Sequence, residues 1–431
     1  MGLKNCQAKP IADWLIDGAR SAADTEDVLG ELCDRLLRCG MPMWRVGLFL
    51  LTLHPHIMGQ RFLWKEGTAV DVNSAPFKAF QTQDFRNSPV RRVIDSGVAV
   101  RRRLGDKDCP LDFTMLSELQ EQGVTDYLAV PLSFADGEMH GATFATRDPS
   151  GFSDAQIAGL KSIAAPLSRA VETRTLRRTA CALLDTYVGH KGGARILAGQ
   201  IRRGHVDAIN AVIWFSDMRG FTTLSDRLEP QTLVDLLNRY FDCQVPSILD
   251  HGGEVLEYLG DGVLAVFLIA PDGDDMGQVC KAALDAARES RDAVARLSER
   301  MVSRGILARS AGELGTSSEQ GSHGVHFGLA LHLGQVSYGN IGSRNRLNFT
   351  CIGPAVNLAA RIETLTKKLN RTILASDEFA RQCPSEFLPV GEFDLAGFTA
   401  LQAVFGLNDE FTPPISADPR AARAGAEPDR A

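Results

Sequence analysis

Apolar positions recur at helical spacing from about Ile11 to Cys39, after which the period changes. The run WRVGLFLLTL, Trp44 to Leu53, is almost unbroken apolar and predicts a buried strand. Two short apolar runs in YLAVPLSFADGEMHGATFAT, Tyr127 to Thr146, flank an Asp-Gly turn signal and predict a hairpin. FSDAQIAGLKSIAAPLSRAV then predicts a closing helix with Ser153 as its N-cap, and Pro166 is expected to kink it. Ile157, Leu160, Ala164, Leu167 and Val171 alternate spacings of three and four, which suits either a seam with a partner helix or the core face of this domain. Helices at both ends of an antiparallel sheet amount to an α+β plan.

Glycines and charges in LLDTYVGHKGGARILAGQIRRGHVDAINA place a domain boundary near residues 188–208. Beyond it, AVIWFSD predicts a strand, and PQTLVDLLNRYFDCQVPSILDHGG a helix that opens at Pro230 and stops at Gly252 and Gly253. The stretch GGEVLEYLGDGVLAVF, Gly252 to Phe267, reads as a hairpin turning at Gly260 and Asp261. A helix is expected from about Gly277 to Arg304, followed by a polar surface loop, SAGELGTSSEQGSHG. VHFGLALHLGQVSYGNIGS predicts strands around a glycine turn, and AVNLAARIETLTKKL a helix. The expected organisation is a first domain over 8–175, a helical connector over 176–207, a second domain over 208–407 and a disordered tail over 408–431.

A chain of 431 residues suits two or three domains, with ordinary globular proportions of 44% hydrophobic and 23% charged residues. The formal charge of -7 gives no electrostatic basis for nucleic-acid binding. Basic clusters at Arg91 and Arg92 and at Arg101 to Arg103 read as solvated faces. Nine cysteines without a CxxC pair read as reduced thiols. No apolar run approaches the ~20 residues that span a bilayer, so a cytoplasmic location is expected. MGLKNC has Cys6 where a myristoylation signal has Ser or Thr. His54 and His56 lack a third ligand nearby and read as loop residues.

The chemistry rests on a few polar interruptions. Asp217 ends an apolar strand and Gly220 follows, so that backbone amides of residues 218–222 can turn toward phosphate oxygens. Asp261 sits between glycines at a hairpin tip, where backbone can approach a ligand closely. Singly, each is more simply a cap or a turn; if the strands are neighbours, the carboxylates converge. Two carboxylates with few other ligands suit Mg²⁺, which keeps waters and borrows phosphate oxygens.

In order and spacing, FSDMRGFTTLSD, then LEYLGDGVLAVF with its Asp 44 residues after the first, then GNIGS and FTCIGPAVNLAARIE resemble the catalytic domain of the class III nucleotidyl cyclases. The first 175 or so residues resemble a GAF domain, a small-molecule sensor or dimerisation module, which implies an unidentified ligand. The fold implied is α+β: a GAF-like antiparallel sheet with helices, a connector, and a ferredoxin-like (palm-like) catalytic domain. The resemblance implies that Asp217, Asp261 and the Met218 carbonyl hold two Mg²⁺ or Mn²⁺ ions per active site. Gly220, Phe221, Thr222 and Gly260 fall in its substrate-binding segments, Asn357 matches the residue that orients the ribose, and Arg361 matches the one that stabilises charge on the α-phosphate. It also implies a homodimer whose two active sites each draw on both chains.

The base readers are mixed. ATP-using members commonly carry Lys four residues before the second metal Asp, and Asp or Thr seven residues before the Asn; here those positions hold Glu257 and Thr350. A carboxylate only accepts hydrogen bonds, so Glu257 suits guanine N1–H and N2, whereas a threonine hydroxyl serves either purine. GTP is slightly favoured, with ATP the alternative and a degenerate dimeric signalling module a third. The family's terminal-phosphate Lys has no counterpart in FDLAGFTALQAVF, which offers Ala396 and Phe398. No GxxxxGK[ST] sequence is present, which excludes a Walker-type NTPase.

Overall fold

The computed structural model describes residues 8–271, 275–304, 306 and 324–410. The chain divides into two compact units, at residues 183 and 184. The MGLKNC start lies outside the described residues, as do most of the polar insertion after residue 309 and the tail after Glu410.

The first unit begins with helices α1 (Lys9–Ile16) and α2 (Thr25–Arg38). Its six strands are β1 (Arg45–Leu51), β2 (Gly59–Lys65), β3 (Asp71–Ala75), β4 (Val100–Arg102), β5 (Asp126–Ser133) and β6 (Met139–Thr146), in the spatial order β3-β2-β1-β6-β5-β4. Short helices α3 (Gln83–Arg86), α4 (Pro89–Ser96) and α5 (Thr114–Glu121) precede the long α6 (Asp154–Tyr187). The expected hairpin is β5–β6, paired from Asp126↔Thr146 to Ser133↔Met139. Alternate residues Val46, Leu48 and Leu50 of β1 enter one core with Leu29 and Leu32 of α2.

Ser153 caps α6: its Oγ accepts from the Gln156 amide at 3.3 Å, and the Gln156 side chain accepts from the Ser153 amide at 2.8 Å. Ile157, Leu160, Leu167 and Val171 are buried in the core of this unit, with Ala164 packed against it. The seam is thus the core face of the domain, not a stripe left for a partner helix. Pro166 is accommodated inside the helix.

The second unit opens with α7 (His190–Leu197) and β7 (Val206–Met218), followed by α8 (Phe221–Arg227), α9 (Pro230–Phe241) and α10 (Val245–Asp250). The single helix expected here is two, because Pro246 stands at the first turn of α10, where a proline fits, and would break a helix that ran through it. Then come β8 (Glu254–Leu259), β9 (Gly262–Leu268), α11 (Met276–Ser303), β10 (Phe327–Gly342), β11 (Leu347–Ile352), α12 (Pro354–Lys368), β12 (Ile373–Ser376), α13 (Asp377–Ala380), β13 (Phe387–Phe393) and β14 (Gln402–Leu407).

The sheet order is β13-β14-β12-β10-β7-β9-β8, with β11 paired to β10. The antiparallel run β10-β7-β9-β8, formed by a β-α-β-β-α-β path, is the ferredoxin-like core. Where strands around a glycine turn were expected, β10 is one continuous strand that pairs with the whole of β7, from Phe327↔Met218 to Gly339↔Val206. Gly334 makes room instead of turning: a Cβ there would lie 2.8 Å from that of Ala355 in α12. The unit also runs past residue 407, since Arg291 pairs with Asp409 at 2.9 Å and the Thr372 amide donates to Glu410 at 2.9 Å.

Candidate active site

Strand β7 is central, and its alternation sets the site. Val212, Trp214, Ser216 and Met218 face one core, so Asp217 faces the other way, toward α12. A two-residue loop, Gly260 and Asp261, joins β8 to β9; Gly260 takes a positive φ of 69°, which glycine adopts without strain. Next to it, Gly262 is pressed against β7. A Cβ there would lie 2.8 Å from the Ser216 carbonyl oxygen and 3.3 Å from Asp217 Oδ1. Lack of a side chain at 262 is therefore what lets the hairpin tip carry Asp261 up to Asp217.

The electrostatics record that closeness. The Asp217 carboxyl is pushed up to about 7, first by burial, then by the negative charges of Asp261 and Glu363 and by a hydrogen bond with Asp261. Glu363 escaped the reading of the sequence. It lies two residues beyond Arg361, on the other face of α12, buried over Gly328, whose partner across the ladder is Asp217. Burial raises its pKa too, opposed by Thr366 and Arg219.

Behind the pair, on the opposite sheet face, Trp214 Nε1 donates to Ser216 Oγ at 3.3 Å, and Ser216 donates to Gln244 Oε1 at 2.7 Å. This buried chain fixes the strand end from which Asp217 projects.

The remaining expected site residues fall into three places. Gly220, with φ of 75°, precedes α8, where Phe221 is half-buried and Thr222 exposed. Glu257, on β8, is half-buried, and its Oε1 accepts from Asn348 Nδ2 at 3.2 Å. Thr350 lies two residues along β11 from Asn348 and so on the same strand face; it is buried, and its hydroxyl has no partner. Asn348 is the residue that sequence reasoning missed here, because only the pairing of β11 to the sheet reveals it. Asn357 and Arg361 are exposed one turn apart on α12, and neither side chain bonds another described residue. The strongest charges on Asp217 are carboxylates, not Arg361.

Among the described residues no group of three His, Cys, Asp or Glu side chains is placed to hold a metal. Two facing carboxylates and the adjacent Met218 carbonyl make an all-oxygen donor set with unneutralised negative charge. That composition fits a hard divalent cation such as Mg²⁺ or Mn²⁺, which completes its shell with water and phosphate.

Residues 206–404 match the family model described as the adenylate and guanylate cyclase catalytic domain, and residues 22–172 match that of the GAF domain. The chain thus joins a GAF domain to a class III nucleotidyl cyclase catalytic domain. An adenylate cyclase of Anabaena cylindrica is 32% identical over 190 residues, 43% of this chain and 34% of its own length. Adenylate cyclase 1 of Rhizobium meliloti is 30% identical over 179 residues, 41% of this chain and 24% of its own. The chain thus spans about a third or less of these curated relatives. Among solved structures, the adenylyl cyclase CyaB from P. aeruginosa is 25% identical, with a TM-score of 0.39, covering 47% of this chain and 95% of that one. The guanylyl cyclase Cya2 is 24% identical at a TM-score of 0.38, covering 47% and 93%. The matched cyclase segment contains Asp217, Glu257, Asp261, Thr350, Asn357 and Arg361.

Proposed function

We propose that the cyclase domain converts a purine nucleoside triphosphate to the 3',5'-cyclic monophosphate and pyrophosphate. GTP is preferred, and two copies of the chain form a homodimer with two shared sites. The observation that carries the reading is the facing pair Asp217 and Asp261, with Asn357 and Arg361 exposed on α12 in the same domain.

Asp217, Asp261 and the Met218 carbonyl would hold two Mg²⁺ or Mn²⁺ ions, which supply positive charge to acidify the ribose 3'-hydroxyl and offset the triphosphate. Asn357 holds the ribose so that its 3'-oxygen lines up with the α-phosphate. Arg361 donates to the phosphate oxygens where charge gathers as the pyrophosphate leaves. Gly220, Phe221, Thr222 and Gly260 bring backbone to the phosphates. Arg361 does not neutralise the aspartates of its own chain, which supports a partner chain supplying it.

Glu257 accepts from guanine N1–H and N2, and Asn348 fixes one of its oxygens for the task. Thr350 presents an unpaired hydroxyl to the base edge. ATP is the second reading, favoured by the adenylate cyclase relatives. Phe398 is half-buried against Leu395 and other apolar residues, so it offers the terminal phosphates no charge. The GAF domain, over 8–175, regulates through a connector over 176–207. A cytoplasmic location follows from the triphosphate substrate.

The test is product formation from GTP and ATP side by side with Mn²⁺, for the parent and for Glu257→Lys. The expected result is cyclic GMP in excess, with the preference moving toward ATP by about tenfold or more in the variant. No product from either triphosphate overturns the enzymatic reading, and unchanged selectivity overturns the role of Glu257.

A further inference from the structure

Helix α7 belongs to the cyclase unit but has no part in the chemistry described above. Its middle is fixed at Gly192 in two ways. The Gly192 amide donates to buried Glu254 Oε1 at 2.9 Å, and the missing side chain admits the Phe349 ring, since a Cβ there would lie 2.9 Å from Phe349 Cδ1. These contacts close into a ring. The Tyr338 hydroxyl donates to the other Glu254 oxygen at 2.7 Å, and the Tyr338 and Phe349 rings meet edge to face with centroids 4.9 Å apart. Arg195 of α7 lies over Tyr338 at 5.0 Å and is paired with Asp207 at 2.7 Å.

Both strands touched in this way carry groups assigned to the base. On β8 the ladder slips at a bulge between Val255 and Glu257. Glu254 and Glu257 are three residues apart, yet they pair with Val266 and Leu264, two residues apart, so both carboxylates lie on one sheet face. On β11, Phe349 stands between Asn348, which donates to Glu257 at 3.2 Å, and Thr350, whose buried hydroxyl has no partner. Close-packed interiors pass small displacements on to their neighbours. A shift of α7 therefore reaches the Glu257–Asn348 hydrogen bond from both of its ends. Among the described residues, no hydrogen bond or ion pair of α7 reaches Asp217, Asp261, Asn357 or Arg361.

We infer that α7 is a positioning element for purine recognition: through Gly192 it sets the spacing of Glu257, Asn348 and Thr350, and so tunes nucleotide affinity and base choice but not turnover of the bound triphosphate. The inference rests on the reading that Glu257 and Thr350 face the purine. It also says where a displacement of the connector registers, namely in KM and base preference with kcat kept.

The test is calorimetric binding of 3'-deoxy-GTP and 3'-deoxy-ATP with Mn²⁺, which cannot cyclise without the attacking hydroxyl, beside steady-state kinetics with GTP and ATP. The proteins are the full-length parent, Gly192→Ala, Gly193→Ala and Phe349→Leu. Alanine is the better helix former at both glycines, and the Cβ of Gly193→Ala would meet Leu184 and Asp185 instead of β11, which makes it a matched control. In Gly192→Ala the affinity ratio of 3'-deoxy-GTP to 3'-deoxy-ATP should fall about threefold or more, as a weakened hydrogen bond predicts. KM for GTP should rise with it while kcat stays within about twofold. Phe349→Leu, which loosens the same contact from the strand side, should also lower the ratio, and Gly193→Ala should keep the parental one. Circular dichroism identifies any variant that has not folded, and the remaining ones decide. A ratio that does not fall in Gly192→Ala and Phe349→Leu overturns the inference, as does an equal fall in Gly193→Ala. Lost kcat with KM kept overturns its confinement to base recognition. A parent that binds neither analogue, or both alike, defeats the base-site reading and this inference with it; a parent that discriminates no better than Gly192→Ala defeats this inference alone.

Discussion

At the scale of single residues, Asp217 is the most informative group, a carboxyl pushed up to about 7 by burial and by Asp261 and Glu363. Like charges crowded in this way are relieved by a cation. Mg²⁺ should therefore stabilise the parent protein, by about 2.7 kcal/mol at a hundred times its Kd, and Asp217→Asn should lose most of that gain. Thermal unfolding with and without Mg²⁺ measures it. His140 supplies an independent pH dependence. Its Nδ1 accepts from the Leu51 amide at 3.0 Å, its ring lies 3.9 Å from that of Phe134, and burial lowers its pKa to about 4. A histidine held neutral in the fold binds its proton more readily when unfolded, so stability falls as pH drops from about 6.5 toward 4. The loss is on the order of 3 kcal/mol and should shrink in His140→Asn, as read by urea unfolding at stepped pH. Asp217, Asp261 and Glu257 were legible in the sequence because each interrupts an apolar run. Glu363 and Asn348 were not, because their importance comes from neighbours more than 90 residues away in the chain.

At the scale of elements, the β8–β9 hairpin shows how a sequence signal becomes a site. Gly260 makes the turn, but Gly262 makes the approach, since any side chain there meets the Ser216 carbonyl. Gly262→Ala should destabilise the domain by about 1–3 kcal/mol and lower cyclase activity further than the lost stability explains, as seen by comparing unfolding with turnover at low temperature. Helix α7 is fastened to the same sheet by buried Glu254, which accepts from the Gly192 amide at 2.9 Å and the Tyr338 hydroxyl at 2.7 Å. Glu254→Ala strands two buried donors and should cost about 2–5 kcal/mol in denaturant unfolding. Elements with a strong period or a decisive turn, such as β5–β6 and β8–β9, were readable in advance. Those misread or left open share a cause: local signals with two meanings. Glycines in β10 serve close packing as readily as a turn, and the apolar stripe of α6 serves its own core as readily as a partner.

At the scale of the whole molecule, a GAF domain and a cyclase domain occur in one chain, and the cyclase half carries the carboxylate pair Asp217 and Asp261 and, separately, the exposed Asn357 and Arg361. Asn357 and Arg361 are exposed with no side-chain partner among the described residues, whereas Asp217 is crowded by the negative charges of Asp261 and Glu363. The proposed twofold dimer, bringing one face of each chain to the other, would complete two sites at once. The most direct measurement mixes Asp217→Ala with Arg361→Ala protein, each inactive alone, and assays cyclic nucleotide formation. Equal mixing with free exchange should restore about a quarter of parental activity, because half the dimers are mixed and each has one intact site. Activity that stays at the level of the separate variants, although exchange of subunits is shown by a tag, would contradict the shared site.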